Sequence, residues 1–158
     1  MGRARIIAAM TLAAFAPVLP GCGNSDPAEG LVSNIDKARN ARTLTSLQQA
    51  LISVNLVQSE TGGAGPAALA AALQERDPSN RYTTGPPTDV GVVQVLGGGG
   101  GAVMLVGINS PPSSPRKPYY LALWENGGAT LYYVGEQPPQ FTAQQPAGPG
   151  WGNTPPQA

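Results

Sequence analysis

The chain has 158 residues, of which 21 are Gly and 17 are Pro, so about a quarter of it is poorly suited to the interior of a helix or strand. Charged residues make up 11%, against roughly 25% in an average soluble domain, and nine basic residues balance nine acidic ones. There is no His and only one Cys. This composition argues against a basic nucleic-acid-binding protein, against His-activated nucleophiles and against metal sites built from His or several Cys. We therefore expect no cofactor, no metal, no catalytic residues and no nucleic-acid partner.

Residues 1–21 have the composition of a targeting segment. Arg3 and Arg5 precede an uncharged apolar stretch, 6–19, which is shorter than the roughly 20 residues that a membrane-spanning helix needs. The stretch ends in Leu19-Pro20-Gly21-Cys22, which resembles the cleavage box of bacterial lipoprotein signal peptides. The resemblance implies that residues 1–21 are removed and that Cys22 is lipidated as the new first residue.

A lipid anchor at Cys22 would place the mature protein outside the cytoplasm, on the outer face of a bacterial membrane. The alternative is an ordinary secretory signal that happens to be followed by a Cys. The lipoprotein interpretation also accounts for the lone Cys, because an unpaired thiol is unusual in an exported protein. More than one acyl chain gives stable membrane attachment, whereas a single chain is marginal.

The mature chain divides into three parts by composition. Residues 22–30 are small and polar, which predicts a flexible tether. Residues 31–136 are long enough for one globular domain with a modest core. Residues 137–158 are rich in Pro, Gly and Gln and carry no charge, so we expect a disordered tail that cannot bury enough apolar surface to fold.

Helical periodicity dominates the first part of the domain. A helix is predicted over 31–61, with Leu44, Leu47, Leu51 and Val54 on one stripe. The apolar residues before position 41 are out of phase with that stripe, so either the helix bends near 41–43 or its first half is solvated.

Gly62-Gly63 mark the end of the long helix. A shorter helix follows from Pro66 to about Asp77, with Leu69 and Leu73 packing over one edge of the core. A loop is predicted over 81–88.

Four β-branched or aromatic runs follow, and they predict two hairpins with strands at 90–96, 102–108, 119–125 and 129–134. The first hairpin closes at five glycines, 97–101, which lack the Lys and Ser or Thr of a phosphate-binding loop, so we expect only a hairpin tip. The second closes at Asn126-Gly127, a type I′ turn signal. The predicted fold is α+β: a long N-terminal helix and a short helix packed on a four-stranded antiparallel sheet.

This order of elements resembles the globular domain of type IV pilins and pilin-like proteins. The stretches Tyr82-Thr83-Thr84-Gly85 and Tyr132-Tyr133-Val134 are similar to the corresponding parts of some bacterial pilin-like sequences. The resemblance implies a pilin-like fold. Pilins have a long apolar assembly helix at their N-terminus, whereas this chain has the lipoprotein box and a polar tether, so a pilin-like domain on a lipid anchor is the more economical interpretation.

The most suggestive candidate site is aromatic. If the second hairpin has a two-residue loop at Asn126-Gly127, then Trp124 opposes Ala129 and Tyr120 opposes Tyr133. Tyr120, Trp124 and Tyr133 then share one sheet face, toward solvent or under the tail, and could stack on sugar rings or on a proline-rich peptide. The alternative is packing without a ligand. The opposite face is predicted to be the core face, and it would hold Tyr119, Leu121, Leu123 and Tyr132.

These features favour a lipid-anchored, non-catalytic cell-envelope protein with a small binding or spacer domain. Its partners would be the membrane, envelope glycan or surface-assembly proteins. The alternative is a minor pilin-like structural component of a surface or secretion assembly. An enzyme of unknown type ranks third, because the fold could still assemble a carboxylate pair or a Ser-Lys pair from scattered residues.

Overall fold

A computed structural model describes residues 27–156. Cys22, the lipoprotein box and residues 22–26 of the predicted tether lie outside the described residues. The helices are α1 (Pro27–Thr61) and α2 (Pro66–Arg76), and the strands are β1 (Arg81–Thr83), β2 (Val92–Gly97), β3 (Val103–Ile108), β4 (Tyr120–Asn126), β5 (Ala129–Gly135) and β6 (Trp151–Gly152). The helix begins earlier than expected, since residues 27–30 of the predicted tether belong to α1.

The long helix is one continuous element that packs on the sheet by its second half. Its fully buried residues are Leu47, Ala50, Val54 and Val57, which recur at helical spacing, while Leu44 and Leu51 are only partly buried at the margins of the stripe. Ile35 is 44% exposed, and Lys37 beside it is exposed as well. Of the two alternatives that the sequence left open, the solvated first half fits only in part, because Asp36 and Asn40 contact the connection from β3 to β4.

The short helix begins and ends where the sequence predicts. Pro66 occupies its first turn, where a missing backbone donor costs nothing, and its C-cap is Asp77. Leu69 and Leu73 are fully buried against the core, and the helix contacts β1 and β2 at one edge of the sheet. An exposed ion pair between Arg76 and Glu60 links α2 to the end of α1.

The sheet confirms the α+β class but differs from the predicted four antiparallel strands. It has six strands in the order β1-β2-β3-β4-β5-β6, and it is mixed because β1 runs parallel to β2. The predicted loop over 81–88 is therefore wrong for its first three residues. A strand this short has no periodicity to detect; it is held by its pairing to β2 and by the side chain of Gln74, which accepts a hydrogen bond from the Tyr82 amide at 3.0 Å.

Both predicted hairpins are present. The glycine-rich tip of the first one packs on the connection between the two helices, where the Gly99 amide donates to the Ala64 carbonyl at 2.8 Å. In the second hairpin the loop is Gly127-Gly128, with φ of 57° and 87°, as a type I′ turn requires.

The predicted register of the second hairpin is wrong by two residues. Asn126 pairs with Ala129 inside the ladder, so Trp124 opposes Leu131, and Tyr133 opposes Ala122. Two adjacent glycines accept positive φ more readily than Asn followed by Gly, and this moves the turn one position along the chain. A shift of two residues leaves every side chain on its predicted face, because side chains alternate along a strand.

The sheet has a buried layer on each face. The inner layer lies under α1 and α2 and includes Leu121 and Leu123, as predicted for the core face, with Tyr132 partly buried beside them. Tyr119 was predicted to join this face, but it lies just before β4 and is 40% exposed. The outer layer contains Ala102, Met104, Val106, Ala122, Trp124 and Leu131.

The C-terminal segment covers the outer layer. Residues 137–158 were predicted to be a disordered tail, but within the described part, 137–156, the chain returns to the sheet and adds β6 beside β5. Pro146 in this segment is buried. Composition underestimated the segment because Trp151 and Pro146 pack against apolar surface that another part of the chain supplies.

Candidate functional site

The predicted aromatic residues lie on one face of the sheet. Tyr120 and Trp124 point outward from β4, and Tyr133 points outward from β5, so the structure brings all three to the face opposite the helices. Trp124 is only 2% exposed, whereas Tyr120 and Tyr133 are partly buried at the margins of the outer layer. We call this surface, with Leu96, Met104 and Leu131, the outer aromatic face.

Two side chains of the outer aromatic face donate hydrogen bonds to the main chain of the C-terminal segment. The Trp124 indole Nε1 donates to the Thr142 carbonyl oxygen at 2.9 Å, and the Tyr133 hydroxyl donates to the Gln137 carbonyl oxygen at 2.9 Å. Both acceptors are backbone atoms, so these bonds recognise an extended chain path rather than particular side chains. This is how aromatic grooves bind proline-rich peptides.

Trp151, an aromatic residue of the segment, packs on the Tyr133 ring. The ring centroids of Tyr133 and Trp151 are 5.2 Å apart with an interplanar angle of 49°, within the range of favourable tilted aromatic pairs. Gly150 makes this approach possible: its φ is +87°, and a Cβ there would lie 2.7 Å from the Tyr133 ring. The Val134 amide donates to the Gly150 carbonyl oxygen at 3.1 Å and continues the ladder.

Phe141 anchors the other end of the segment. Its ring lies against Gly97 at the end of β2, in the space that a Cβ would occupy. The segment therefore crosses the outer aromatic face from Phe141 beside β2 to Trp151 beside β5. Between these two anchors the chain bends at 143–144 and turns at 148–150.

A cavity of about 360 Å³ lies at the β6 edge of the sheet. Tyr132, Val134, Trp151 and Pro156 are among its lining residues. It is open, and most of its lining surface is apolar.

A second cavity, of about 260 Å³, lies between α1 and the connection from β3 to β4. Arg116 reaches Asp36 at 3.0 Å on its border. The buried Asn109 side chain donates to Asn40 Oδ1 at 2.8 Å and accepts from the Tyr119 amide at 2.9 Å. These contacts attach the first half of α1 to the sheet, so this polar cluster has a structural role.

A compact polar cluster follows α2. Partial burial raises the pKa of the Asp77 carboxyl, but hydrogen bonds from Ser79, Tyr82 and Asn80 outweigh it and lower the pKa to about 2. The Tyr82 hydroxyl donates to Asp77 at 2.6 Å, and burial together with this bond raises the Tyr82 pKa above its ordinary value. Tyr82 is the central residue of β1, so the cluster holds this strand in place.

The other predicted site residue, Cys22, lies outside the described residues, so its lipidation stays a prediction. Sequence reasoning missed Phe141 and Trp151, which complete the outer aromatic face. The available signal was the presence of two large aromatic rings in a segment otherwise composed of small, polar and proline residues.

Over residues 27–156, no three His, Cys, Asp or Glu side chains are grouped closely enough to hold a metal ion. Neither of the two described helices has an apolar stretch of the length needed to cross a membrane. Comparison of the chain with known protein families, with curated proteins and with solved structures finds no match.

Proposed function

We propose that this chain is a lipid-anchored, non-catalytic protein of the bacterial cell envelope, exported to the outer face of a membrane and carrying a small binding or spacer domain. The attachment part of the proposal rests on Leu19-Pro20-Gly21-Cys22. The binding part rests on the outer aromatic face.

One observation carries the binding role. An aromatic face of the sheet holds a proline-rich segment through an indole N–H and a phenol O–H that both donate to main-chain carbonyls. A buried indole N–H needs a hydrogen-bond acceptor. A face that only had to be covered by the segment could have been made from aliphatic residues alone. The arrangement is typical of a peptide-binding surface that is occupied within its own chain.

The start of α1 supports attachment close to a membrane. Only residues 23–26 separate Cys22 from Pro27, where the helix begins. Four extended residues span at most about 14 Å, so a lipid on Cys22 would hold the N-terminal end of α1 near the bilayer. The first half of α1 would then connect the membrane surface to the sheet.

The attachment is tested by labelling with a fatty acid in a bacterium that produces the full chain. We expect the wild-type protein to incorporate the label and partition into the detergent phase. Cys22→Ser should lose the label, while the control Ser25→Ala should keep it. Because a precursor that keeps residues 1–21 can remain in the membrane through its apolar stretch, the label is the decisive readout. A labelled Cys22→Ser variant would overturn the proposal.

The second candidate is a minor pilin-like structural component of a surface or secretion assembly. The packing of the second half of a long N-terminal helix against an antiparallel part of the sheet favours it. Purification of the detergent-extracted protein distinguishes the two functions: an assembly component is recovered in fixed proportion with filament or secretion subunits, and a separate binding protein is not.

A further inference from the structure

We propose that the outer aromatic face is an interface between copies of this chain, in which residues 141–156 of a second copy replace the chain's own segment. The inference rests on the proposed function, because it names the partner of the binding face. Its central feature is the juxtaposition of Trp124 and Tyr133 with a proline-rich segment that follows an exposed connector, residues 136–140, in which the Gln137 carbonyl accepts the Tyr133 hydrogen bond.

The chemistry of the face selects an extended proline-rich chain. Proline has no backbone N–H, so a proline-rich segment cannot pair fully with a neighbouring strand and its carbonyls are left as acceptors. Trp124 supplies a donor to such a carbonyl at Thr142, from a side chain that is itself almost fully buried. Only residues 151 and 152 of the segment form a regular ladder with β5.

The segment that fits the face in detail is the chain's own, and every copy carries it. Phe141 occupies the space beside Gly97, Trp151 packs on Tyr133, and Gly150 allows that approach. These three contacts match particular side chains to particular positions, beyond what any proline-rich peptide would require. A second copy is therefore the partner whose complementarity is already present in the structure.

The connector between β5 and the segment permits the exchange. β5 ends at Gly135, and Glu136, Gln137, Pro138 and Gln140 are exposed. The two adjacent prolines, 138 and 139, stiffen the connector, and the Gln137 carbonyl before them accepts the Tyr133 hydrogen bond. An exchanged pair would make the contacts from Phe141 onward unchanged, so the balance depends on protein concentration.

Anchoring to a membrane would shift that balance toward exchange. A segment in the same chain competes at an effective concentration in the millimolar range, so dilute protein should keep its own segment docked. Copies confined to one surface by a lipid meet at far higher local concentration than in solution. Exchange is therefore expected mainly for the anchored, full-length protein.

The test uses two complementary variants of the full chain with different affinity tags, produced together and extracted in mild detergent. The face variant carries Trp124→Phe and Tyr133→Leu, which remove the indole donor and the stacking ring. The segment variant carries Phe141→Ala and Trp151→Ala. Neither variant can satisfy the contact alone, but the intact segment of the first can dock on the intact face of the second.

We expect the two variants to be recovered together at least about tenfold more efficiently than two copies of the face variant or two copies of the segment variant. Equal recovery in all combinations, or none in any, would overturn the inference. Circular dichroism of each variant alone shows whether it has folded.

A synthetic peptide of residues 137–156 keeps the proposal testable if the face variant fails to fold. Added to the segment variant, the peptide should bind saturably and change Trp124 fluorescence, whereas a peptide of the same composition in reversed order should not. Equal binding of both peptides would contradict the inference. So would binding of peptidoglycan fragments to the same face when the 137–156 peptide does not bind. Because these readouts do not depend on Cys22 acylation, their failure is distinguishable from failure of the proposed membrane attachment.

Discussion

The Trp124 indole Nε1 lies 2.9 Å from the carbonyl oxygen of Thr142, and this hydrogen bond joins the centre of the sheet to the C-terminal segment across 18 residues of chain. Trp124 is also among the most buried residues of the outer layer. The bond therefore lies largely away from water, where an unmade hydrogen bond is costly. It attaches the segment to the outer aromatic face.

Replacing Trp124 with Phe should release the segment while leaving the rest of the sheet intact. The change keeps an aromatic ring but removes the only donor of the indole, so the Thr142 carbonyl loses its partner at a cost of about 1–3 kcal/mol. Hydrogen exchange is the sensitive measurement. The Val134 amide, which donates to Gly150, should exchange faster, whereas the amides that join β3 to β4 should not change.

Tyr120→Phe is the matched control on the same face, because it also removes one polar group from an aromatic ring. We expect little effect of this variant on the exchange of Val134. If Trp124→Phe left Val134 as protected as in the wild type, the bond to Thr142 would not hold the segment in place.

The elements that sequence patterns located correctly are those whose residues repeat at a helical or strand period. The stripe around Leu47 and Val54 located the packed half of α1, and alternation within β4 and β5 located both faces of the sheet. Because side chains alternate along a strand, the faces were robust even though the register was wrong by two residues.

The elements that escaped prediction are held by partners outside their own few residues. β1 has three residues and depends on β2 and on the side chain of Gln74, and β6 has two residues and depends on β5. Local composition carries no trace of such partners. For the same reason the tail looked disordered: the apolar surface that it covers belongs to other elements.

The candidate site was predictable in part. Alternation placed Tyr120, Trp124 and Tyr133 on one face, and the interpretation that the tail covers them was one of the two alternatives. What the sequence could not supply was the docking of Phe141 and Trp151, because each contacts a glycine position or ring that only the folded sheet brings near.

Thr43→Val should destabilise the domain, although the two side chains have nearly the same volume. The Thr43 hydroxyl is buried and donates to the Ile108 carbonyl oxygen at 3.2 Å, which attaches α1 to the end of β3. Valine has nearly the same shape, so the main loss is the donor, and we expect a decrease of about 1–2 kcal/mol in the free energy of unfolding. Urea denaturation measures it.

Thr45→Val is the control for this change. Its hydroxyl donates to the Ala41 carbonyl within the exposed surface of the same helix, where water can replace it. The free energy of unfolding should change by less than about 0.5 kcal/mol. Equal effects at the two positions would mean that helix propensity, rather than the contact with β3, accounts for both.

Gly107→Ala tests how closely α1 approaches the sheet. A Cβ at position 107 would lie 2.8 Å from the Thr43 Cγ2 methyl group and 3.6 Å from Leu47 Cδ2. Thr43 is short and branched and cannot swing aside, so the helix must shift, at a cost of about 1–3 kcal/mol. Gly152→Ala, where a Cβ would meet nothing within 4 Å, should be almost neutral. Thermal unfolding of the two variants compares them directly, and equal melting temperatures would refute the close packing.

Asp77 should make the stability of the domain depend on acid pH. Its folded pKa of about 2 lies below the ordinary value of 3.8, because hydrogen bonds from Ser79, Tyr82 and Asn80 favour the carboxylate and outweigh the effect of burial. A lowered folded pKa means that the unfolded chain binds the proton more tightly. The contribution is therefore complete above the unfolded value and is lost as the pH falls from about 4 toward 2.

Asp77→Asn should remove that contribution, which is at most about 2 kcal/mol at neutral pH. Urea unfolding of the wild type and the variant, measured from about pH 6 down to about pH 2, should give curves that differ at the upper end and converge as Asp77 becomes protonated. Tyr82→Phe should shift the wild-type loss to higher pH, because it removes one of the donors that keep the carboxylate charged. Asp89→Asn is the surface control, because it affects an exposed pair with Arg81 and an exposed hydrogen bond from the Val90 amide. If the free energies of unfolding of wild type and Asp77→Asn differed by a constant amount over the whole pH range, protonation of this carboxyl would not be linked to folding.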